Sequence, residues 1–224
     1  MNEARNVRVR AHEIVRQQGP WEWIVADGGS DDDTISAARD VGAFAMRASR
    51  GRGPQMNAGA SAARGEILLF LHADSTLPDG AFSAIRAALR DPRAVGGNFA
   101  LRFDDDGFGG RLLAGVYALK QRLFGIWYGD SATFVRRDAF ATLGGFGDVP
   151  ILEDISFVER LRCHGATVRL PLAMTSSARR YRGRLLRTIL RWTAIFALYK
   201  LGVAPQRLAR FYPPHRALPS QEAT

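Results

Sequence analysis

The sequence 51-GRGPQMNAGASAARGEILLFLHADSTLP-78 decides the fold class of this chain. Its glycines bracket a segment of helix length, and the apolar run 67–71 that follows has the length of a buried strand. His72 and Asp74 come directly after that run. In open α/β sheets, ligands bind outside the carboxyl ends of the strands. The segment therefore predicts a sheet that presents an imidazole and a carboxylate at its ligand-binding edge, a pair that suits a divalent metal holding a diphosphate.

Helix and strand patterns alternate on both sides of this segment. The alternation indicates an α/β fold with a doubly wound, mostly parallel sheet and helices on both faces. Strands are predicted over 21–26, 43–47, 66–71, 94–103, 127–136 and 166–170. Helices are predicted over 3–18, 34–41, 54–64, 79–89, 110–124, 138–143 and 153–164. Because the sequence has no internal repeat and no low-complexity linker, we expect one domain over residues 1–224, with an apolar and basic C-terminal helix over 183–204.

The composition indicates a globular domain with a basic surface. Apolar residues make up 46% of the 224 residues, which is enough for a sizeable core. The net charge of +9 comes almost entirely from arginine, since Lys120 and Lys200 are the only lysines. Such a surface attracts nucleotide diphosphates, anionic lipid headgroups or nucleic acid, and a solvated arginine-rich surface is the alternative explanation. The single cysteine, Cys163, excludes an internal disulfide and a cysteine-based metal cage.

Neither the N-terminus nor the longest apolar stretch has a targeting or membrane-spanning pattern. No apolar region of a signal peptide follows Met1, and the stretch 192–204 is shorter than the ~20 residues that a bilayer requires. We therefore expect a cytoplasmic protein. The basic and apolar residues over 179–201 suit a helix that lies in a bilayer interface, at the inner face of the membrane. A terminal helix packed on the core of its own domain is the alternative.

Five motifs follow one another in an order that resembles the family 2 glycosyltransferases of GT-A fold. These motifs are 27-DGGS-30, 51-GRGPQMNAGA-60, 70-FLHAD-74, 144-GGF-146 and 153-ED-154. The closest likeness is to a bacterial subgroup of small, single-domain members, and it covers most of the chain. The resemblance implies an enzyme that moves a sugar from a nucleotide-diphosphate donor, with a UDP-sugar favoured, to a hydroxyl acceptor with inversion. It also implies a divalent metal, Mg²⁺ or Mn²⁺.

The resemblance also implies roles for particular residues. Asp154, beside Glu153, is expected to be the general base that takes a proton from the acceptor; two carboxylates favoured by a helix dipole are the alternative. Asp74 is expected to bind the metal. His72 replaces the first carboxylate of the usual Asp-X-Asp triplet, and it is a second metal ligand, a contact of the ribose or its neighbours, or a buried, hydrogen-bonded histidine. Donor-binding residues are expected at Glu3, Asp27 (on the nucleobase), Gly29, Arg52 (on phosphate), Gln55, Asn57 and Asp130.

One expected element is missing from the sequence. Family members normally begin with an apolar strand that leads into an Asn-Glu pair, which corresponds here to Asn2 and Glu3. The absent first strand would lie beside residues 67–71, and we expect a start assigned too late, with a truncated product as the alternative. A catalytically silent family member, a sugar nucleotidyltransferase and a basic nucleic-acid-binding protein are the other functions considered. Against the last, the arginines are not interleaved with aromatic residues in a known RNA-binding pattern.

Overall fold

The computed structural model describes residues 2–105, 107–177 and 185–212. Its strands are β1 (Ile24–Asp27), β2 (Phe44–Arg47), β3 (Ile67–Phe70), β4 (Ser75–Thr76), β5 (Ala94–Phe103), β6 (Thr133–Arg136) and β7 (Ala166–Ser176). Its α-helices are α1 (Ala4–Val15), α2 (Thr34–Asp40), α3 (Arg52–Ala62), α4 (Ala81–Ala88), α5 (Phe108–Phe124), α6 (Arg137–Thr142), α7 (Glu153–His164), α8 (Leu185–Lys200) and α9 (Pro205–Leu208). Two short 3₁₀ turns cover Gly129–Ser131 and Ala209–Phe211.

The described strands form two sheets. Strands β1 and β2 pair in parallel, and the larger sheet has the order β3-β6-β5-β7-β4. The predicted α/β class is confirmed, but the larger sheet is mixed rather than mostly parallel, because β5 and β7 are the only neighbouring strands that pair in parallel among its described strands. Strand β6 enters between β3 and β5 and runs opposite to both. An alternating or apolar pattern predicts a strand but carries no information about its direction, which depends on the neighbours with which it pairs.

The larger sheet is covered on both faces, as predicted. Adjacent residues of β6 point to opposite faces, so that Phe134 packs with α4 and Val135 packs with α7. The α4 side contains Ile85, Phe99 and Met174, and the other side contains Phe140, Phe146, Phe157 and Leu161. These apolar layers hold the carboxyl end of β3 and the N-terminus of α7 in fixed positions.

The smaller sheet has its own apolar layer. Val7 of α1 and Ala38 of α2 pack with Ala43 and Ala45, beside β2. Helix α3 joins the two sheets, because Gly59 lies against β1 while Met56 and neighbouring side chains pack in the layer under α7. Among the described strands, β1 pairs with β2 alone and β3 with β6 alone. The prediction of a further strand beside β3 stays a prediction.

Three predicted segments differ from the structure by more than three residues at one end. The strand expected over 127–136 is shorter, because the 3₁₀ turn at Gly129–Ser131 and the positive φ of Ala132 (48°) precede β6. Strand β7 continues past Pro171 to Ser176, because a register shift accommodates the proline that has no N–H to donate. The C-terminal helix, expected over 183–204, covers Leu185–Lys200 of the described residues.

Candidate active site

The first part of the site is the loop that follows β1. Asp27 is 3% exposed, and its Oδ2 accepts hydrogen bonds from the backbone N–H groups of Gly29 (3.1 Å) and Ser30 (2.9 Å). The hydroxyl of Ser30 donates to the other carboxylate oxygen. Burial acts to raise the pKa of Asp27, but these hydrogen bonds outweigh it and the pKa is lowered. The loop therefore holds an ionised carboxylate at the end of β1 through contacts within four residues.

Two amide side chains of α3 form hydrogen bonds with backbone groups beside the site. The Gln55 amide donates to the carbonyl of Ala26 (3.0 Å), and a Cβ on Gly28 would lie 2.8 Å from the Gln55 side chain. Asn57 exchanges two hydrogen bonds with the backbone of Phe146, at 2.8 and 2.9 Å. Both residues were predicted to bind the donor. In this structure their amides contact the protein backbone and hold two loops against α3.

The predicted residue Glu3 lies at the start of α1, close to the Asp27 loop. Its backbone N–H donates to the hydroxyl of Thr34 (2.9 Å), and its carboxylate accepts a hydrogen bond from Asn6. The side chain of Asn2 reaches the same loop, where it accepts from the N–H of Asp31 at 3.1 Å. The start of α1 is thus bonded to the middle and to the C-terminal end of the loop that follows Asp27.

The second part of the site lies after β3, where His72 meets Asp130. The His72 Nδ1 is 3.4 Å from Oδ1 of Asp130, and the two side chains are 19% and 17% exposed. Burial favours the neutral ring, but the hydrogen bond and the charge of Asp130 outweigh it and raise the pKa of His72. A Cβ on Gly129 would lie 2.7 Å from Nε2 of His72, so the close approach of ring and backbone requires glycine.

An ion pair joins α3 to the start of α7. The guanidinium of Arg52 contacts both carboxylate oxygens of Glu153, at 2.7 and 3.2 Å. Glu153 is 2% exposed, and burial followed by the charge of Asp154 raises its pKa to about 7, while Arg52 acts to lower it. Arg52 also lies within electrostatic reach of Asp154 and Asp130. The N-terminal end of α3 therefore presents the guanidinium of Arg52 to three carboxylates. They belong to Glu153, Asp154 and Asp130.

Asp154 is held by backbone from a different part of the chain. Its Oδ2 accepts a hydrogen bond from the N–H of Gly129 at 2.9 Å, and the residue is 8% exposed. Leu152, two residues earlier, has a φ of 65°, a left-handed conformation that costs a non-glycine residue about 1 kcal/mol or more. The side chain of Leu152 is fully buried, and its packing holds this strained turn in place. The result is that Asp154 points toward the 3₁₀ turn that carries Asp130.

The metal prediction depends on Asp74, which is partly buried and lies close enough for its charge to act on His72. In the part of the chain that the structure describes, no group of three or more His, Cys, Asp or Glu side chains is arranged to hold a metal ion. One carboxylate together with phosphate oxygens of a donor is nonetheless a sufficient protein contribution for Mg²⁺ or Mn²⁺. Asp74 fits that donor set. His72 fits it only as the neutral ring, which its contact with Asp130 disfavours.

The segment after Asp74 is fastened by residues that sequence reasoning missed. The Arg10 guanidinium donates to the Ser75 carbonyl (2.8 Å) and to the Thr76 hydroxyl (2.6 Å), and it forms an ion pair with Glu13 (2.9 Å). Glu13 is 8% exposed and accepts the N–H of Leu77 at 3.0 Å. Helix α1 therefore clamps three consecutive residues that follow Asp74. The available signal was a glutamate on the apolar face of an amphipathic helix.

The comparisons with known proteins identify the family. The model of glycosyl transferase family 2 matches residues 1–143, which is more than half of the chain. The chain belongs to glycosyl transferase family 2. Its α/β structure has the Rossmann-like GT-A fold. No curated protein sequence matches the chain.

Solved structures similar to this chain include a mannosyltransferase and a glucosyl-3-phosphoglycerate synthase. The mannosyltransferase PcManGT of Pyrobaculum calidifontis, in complex with GDP-Man and Mn²⁺, has a TM-score of 0.67 at 19% identity, over 93% of this chain and 64% of that one. Glucosyl-3-phosphoglycerate synthase of Mycobacterium tuberculosis, in complex with Mn²⁺, UDP and glucosyl-3-phosphoglycerate, has a TM-score of 0.61 at 18% identity, over 91% and 78% of the two chains. This chain thus spans just under two thirds of the length of PcManGT. At these identities the likeness shows the fold alone.

Helix α8 is apolar but short for a bilayer. No helix among the described residues is long and apolar enough to cross a membrane.

Proposed function

We propose that the protein transfers a glycosyl group from a nucleotide-sugar to a hydroxyl acceptor, with inversion at the anomeric carbon. The observation that supports this proposal is the polar cluster in which Arg52, His72, Asp130, Glu153 and Asp154 meet beside Asp74. Its members come from separate segments of the chain, and the Asp27 loop lies at the end of β1 on the other side of α3. In a family 2 enzyme, a donor that spans these two parts has its nucleoside at Asp27 and its diphosphate at Arg52.

Asp154 acts as the general base in this proposal. Its Oδ2 accepts a hydrogen bond from the N–H of Gly129 and its Oδ1 accepts one from the N–H of Ile155 (2.7 Å), and each oxygen keeps a second lone pair that can take a proton. As the acceptor oxygen attacks the anomeric carbon, Asp154 takes its proton in the same step. A base that works directly on the acceptor matches a single displacement, and a single displacement inverts the configuration. Glu153, paired with Arg52, neutralises that cation when no donor is bound.

Arg52 and Asp74 bind the leaving diphosphate. The guanidinium of Arg52 is 44% exposed at the first turn of α3, where the free N–H groups also favour phosphate. Asp74 holds a divalent metal that, when bound, stabilises the charge of the leaving diphosphate as a Lewis acid. His72 keeps Asp130 in position through its Nδ1 in the apo protein, and it ligates the metal only if it loses its proton. Mg²⁺ and Mn²⁺ both satisfy this arrangement.

Calorimetric titration of UDP and of GDP, each with and without Mn²⁺, tests the donor site. We expect one nucleotide to bind, with UDP favoured, and Mn²⁺ to increase its affinity by about tenfold or more, because a metal held by Asp74 would neutralise the charge of the diphosphate. Asp74→Ala is expected to remove the effect of Mn²⁺ and to leave the metal-free affinity unchanged. Asp79→Ala, an exposed aspartate five residues further on, is the control.

Two results would contradict the proposal. If neither nucleotide bound, the donor site would be wrong and the catalytically silent alternative would replace it. If oligonucleotides bound instead, with the steep salt dependence of phosphate contacts, the basic surface would be the functional one. Donor sugar, acceptor and a cytoplasmic location stay predictions to be tested by screening donors and by fractionation.

A further inference from the structure

Exposed apolar side chains are concentrated on one part of this protein. Of the fourteen exposed large apolar side chains of the described residues, ten belong to α5, to α8 or to the residues that follow α8. We call these ten residues the α5–α8 surface: Phe108, Leu112, Leu119, Leu123, Phe124, Leu186, Leu190, Leu198, Leu201 and Phe211. Exposed apolar residues are normally scattered singly, and a contiguous group of them indicates a site of interaction.

The spacing of these residues makes continuous stripes along the helices. On α5, Phe108, Leu112, Leu119 and Leu123 are separated by four, seven and four positions, which places them on one face at 3.6 residues per turn. Their exposed fractions are 75%, 39%, 54% and 64%. On α8, Leu186 and Leu190 repeat the four-residue spacing and are 68% and 61% exposed. Both helices thus bury one apolar face in the protein and expose another.

The two helices run side by side in the same direction. At their first turns, a Cβ on Gly109 would lie 3.3 Å from the side chain of Leu185. Toward their ends, the rings of Phe124 and Phe196 are 5.3 Å apart. Their two stripes are therefore neighbours, and the 17 residues of α5 give the surface a length of roughly 25 Å.

The charged side chains of the two segments that form this surface are all basic. Helix α5 and residues 185–212 contain eight basic residues and no aspartate or glutamate: Arg111, Lys120, Arg122, Arg187, Arg191, Lys200, Arg207 and Arg210. Lys200 pairs with Glu159 of α7, and Lys120 is partly buried over the rings of Tyr128 and Phe196. The sequence 178–184, which precedes α8 and lies outside the described residues, contains four further arginines. Carboxylates of other segments lie near the surface at the start of α5, where Asp105 accepts the N–H of Gly107, and at Glu159. Apolar stripes on helices whose own charged side chains are all cationic match the acyl chains and anionic headgroups of a bilayer. A second copy of this chain would bring like charges together, which opposes association.

The α5–α8 surface is also connected to the candidate active site. Helix α8 packs through Ile195 and Phe196 in one apolar cluster with Ile126, Tyr128 and Leu152. Tyr128 directly precedes the turn that carries Asp130, and Leu152 directly precedes Glu153 and Asp154. A ligand on the outer face of α8 is thus separated from the catalytic segments by the thickness of one helix.

We propose that the α5–α8 surface docks on an anionic lipid bilayer and brings the active site to an acceptor held at that membrane. The docking itself does not depend on the transfer reaction. The choice of a membrane-held acceptor rests on the proposed function.

Sedimentation of the full chain with lipid vesicles tests the docking. We expect binding to vesicles that contain phosphatidylglycerol, weaker binding to phosphatidylcholine alone, and a decrease with added salt. Two paired variants, Leu119→Ser with Leu123→Ser and Leu186→Ser with Leu190→Ser, should each weaken binding at least about tenfold, because leucine burial drives the insertion. The matched control is Val15→Ser with Phe44→Ser, which removes side chains that are 66% and 60% exposed elsewhere and should change nothing.

Three outcomes would overturn the docking proposal. These are absence of binding to anionic vesicles, equal binding to phosphatidylcholine alone, and an equal loss of binding in the control pair. A change of oligomeric state in the leucine variants, measured by light scattering without loss of vesicle binding, would assign the surface to a second copy instead. Titration of UDP with Mn²⁺ into the same variants separates the two proposals, because we expect nucleotide binding to survive when docking is lost. Circular dichroism confirms that each variant is folded.

Discussion

The Asp27 loop and the cluster around Asp154 are built in different ways. The loop is held by hydrogen bonds from Gly29 and Ser30 to Asp27, all within four consecutive residues. The cluster takes its contacts from distant segments, since Arg52 pairs with Glu153 and the Asp154 carboxylate accepts from Gly129. A local motif can form wherever its residues occur. The cluster requires the larger sheet, α3 and α7 to be packed first.

The two parts also differ in what their burial costs. Asp27 is buried, but three hydrogen bonds from its own loop compensate its charge. Glu153 is buried beside another carboxylate, and its compensation comes from one cation on a different helix. Breaking a buried ion pair costs more than losing one hydrogen bond of a polar loop. We therefore expect the cluster to be the more sensitive part, both in catalysis and in stability.

The largest expected effect separates catalysis from binding. Asp154→Asn should decrease the rate of transfer by a factor of ~100 or more, because the amide cannot accept the acceptor proton. The affinity for the nucleotide should stay within about twofold, since the donor contacts are elsewhere. Donor consumption with a screened acceptor and calorimetric titration measure the two quantities. Asp148→Asn, an exposed aspartate in the preceding loop, is the matched control. A near-normal rate in Asp154→Asn would show that Asp154 is not the general base.

The second prediction concerns the ion pair that links α3 to α7. Arg52→Gln should decrease the free energy of unfolding by about 2 kcal/mol, because it leaves the carboxylate of Glu153 buried without its cation. This value is below that of a fully buried pair, since the Arg52 side chain is 44% exposed. Denaturant unfolding at about pH 8, above the Glu153 pKa of about 7, measures it. Adding Glu153→Gln should restore part of the loss; additive losses in the double variant would show that the pair is uncoupled.

The third prediction concerns the local loop. Asp27→Asn should weaken nucleotide binding about tenfold, both with and without Mn²⁺, because Asp27 is proposed to contact the nucleobase rather than the metal. The rate at saturating donor should be nearly unchanged. Asp31→Asn, exposed in the same loop, serves as the control. A loss confined to the Mn²⁺-dependent part of the affinity would contradict this division of roles, since it would assign Asp27 to the metal.

The last prediction concerns pH. Because burial and the charge of Asp154 raise the pKa of Glu153 from 4.5 to about 7, the folded protein binds this proton more tightly than the unfolded chain does. The resulting stabilisation is complete below 4.5 and is lost as the pH rises to about 7. Over that interval the free energy of unfolding should decrease more in the wild type than in Glu153→Gln. Urea unfolding at several pH values measures the difference; parallel curves for the two proteins would show that Glu153 titrates normally.

The sequence by itself determined the elements and the motifs of this protein. Strand β5 and helix α7 have the bounds that their patterns predict, Ala94–Phe103 and Glu153–His164. The Asp27 loop and the order of the family motifs are likewise visible in the sequence. These features depend on residues that are near one another in the chain, so periodicity, glycine and proline positions and short spacing are sufficient to identify them.

The tertiary structure alone decided the direction of β6, the partner of each charged side chain and the contacts of α1 with the segment after Asp74. Nothing in the local pattern indicates that Arg52 pairs with Glu153, that His72 meets Asp130, or that Arg10 holds the segment after Asp74. The amides of Gln55 and Asn57 belong to a matching motif, yet here they bind backbone. Such contacts join residues that lie tens of positions apart, and they exist only after apolar burial on both faces of the sheet has brought those segments together.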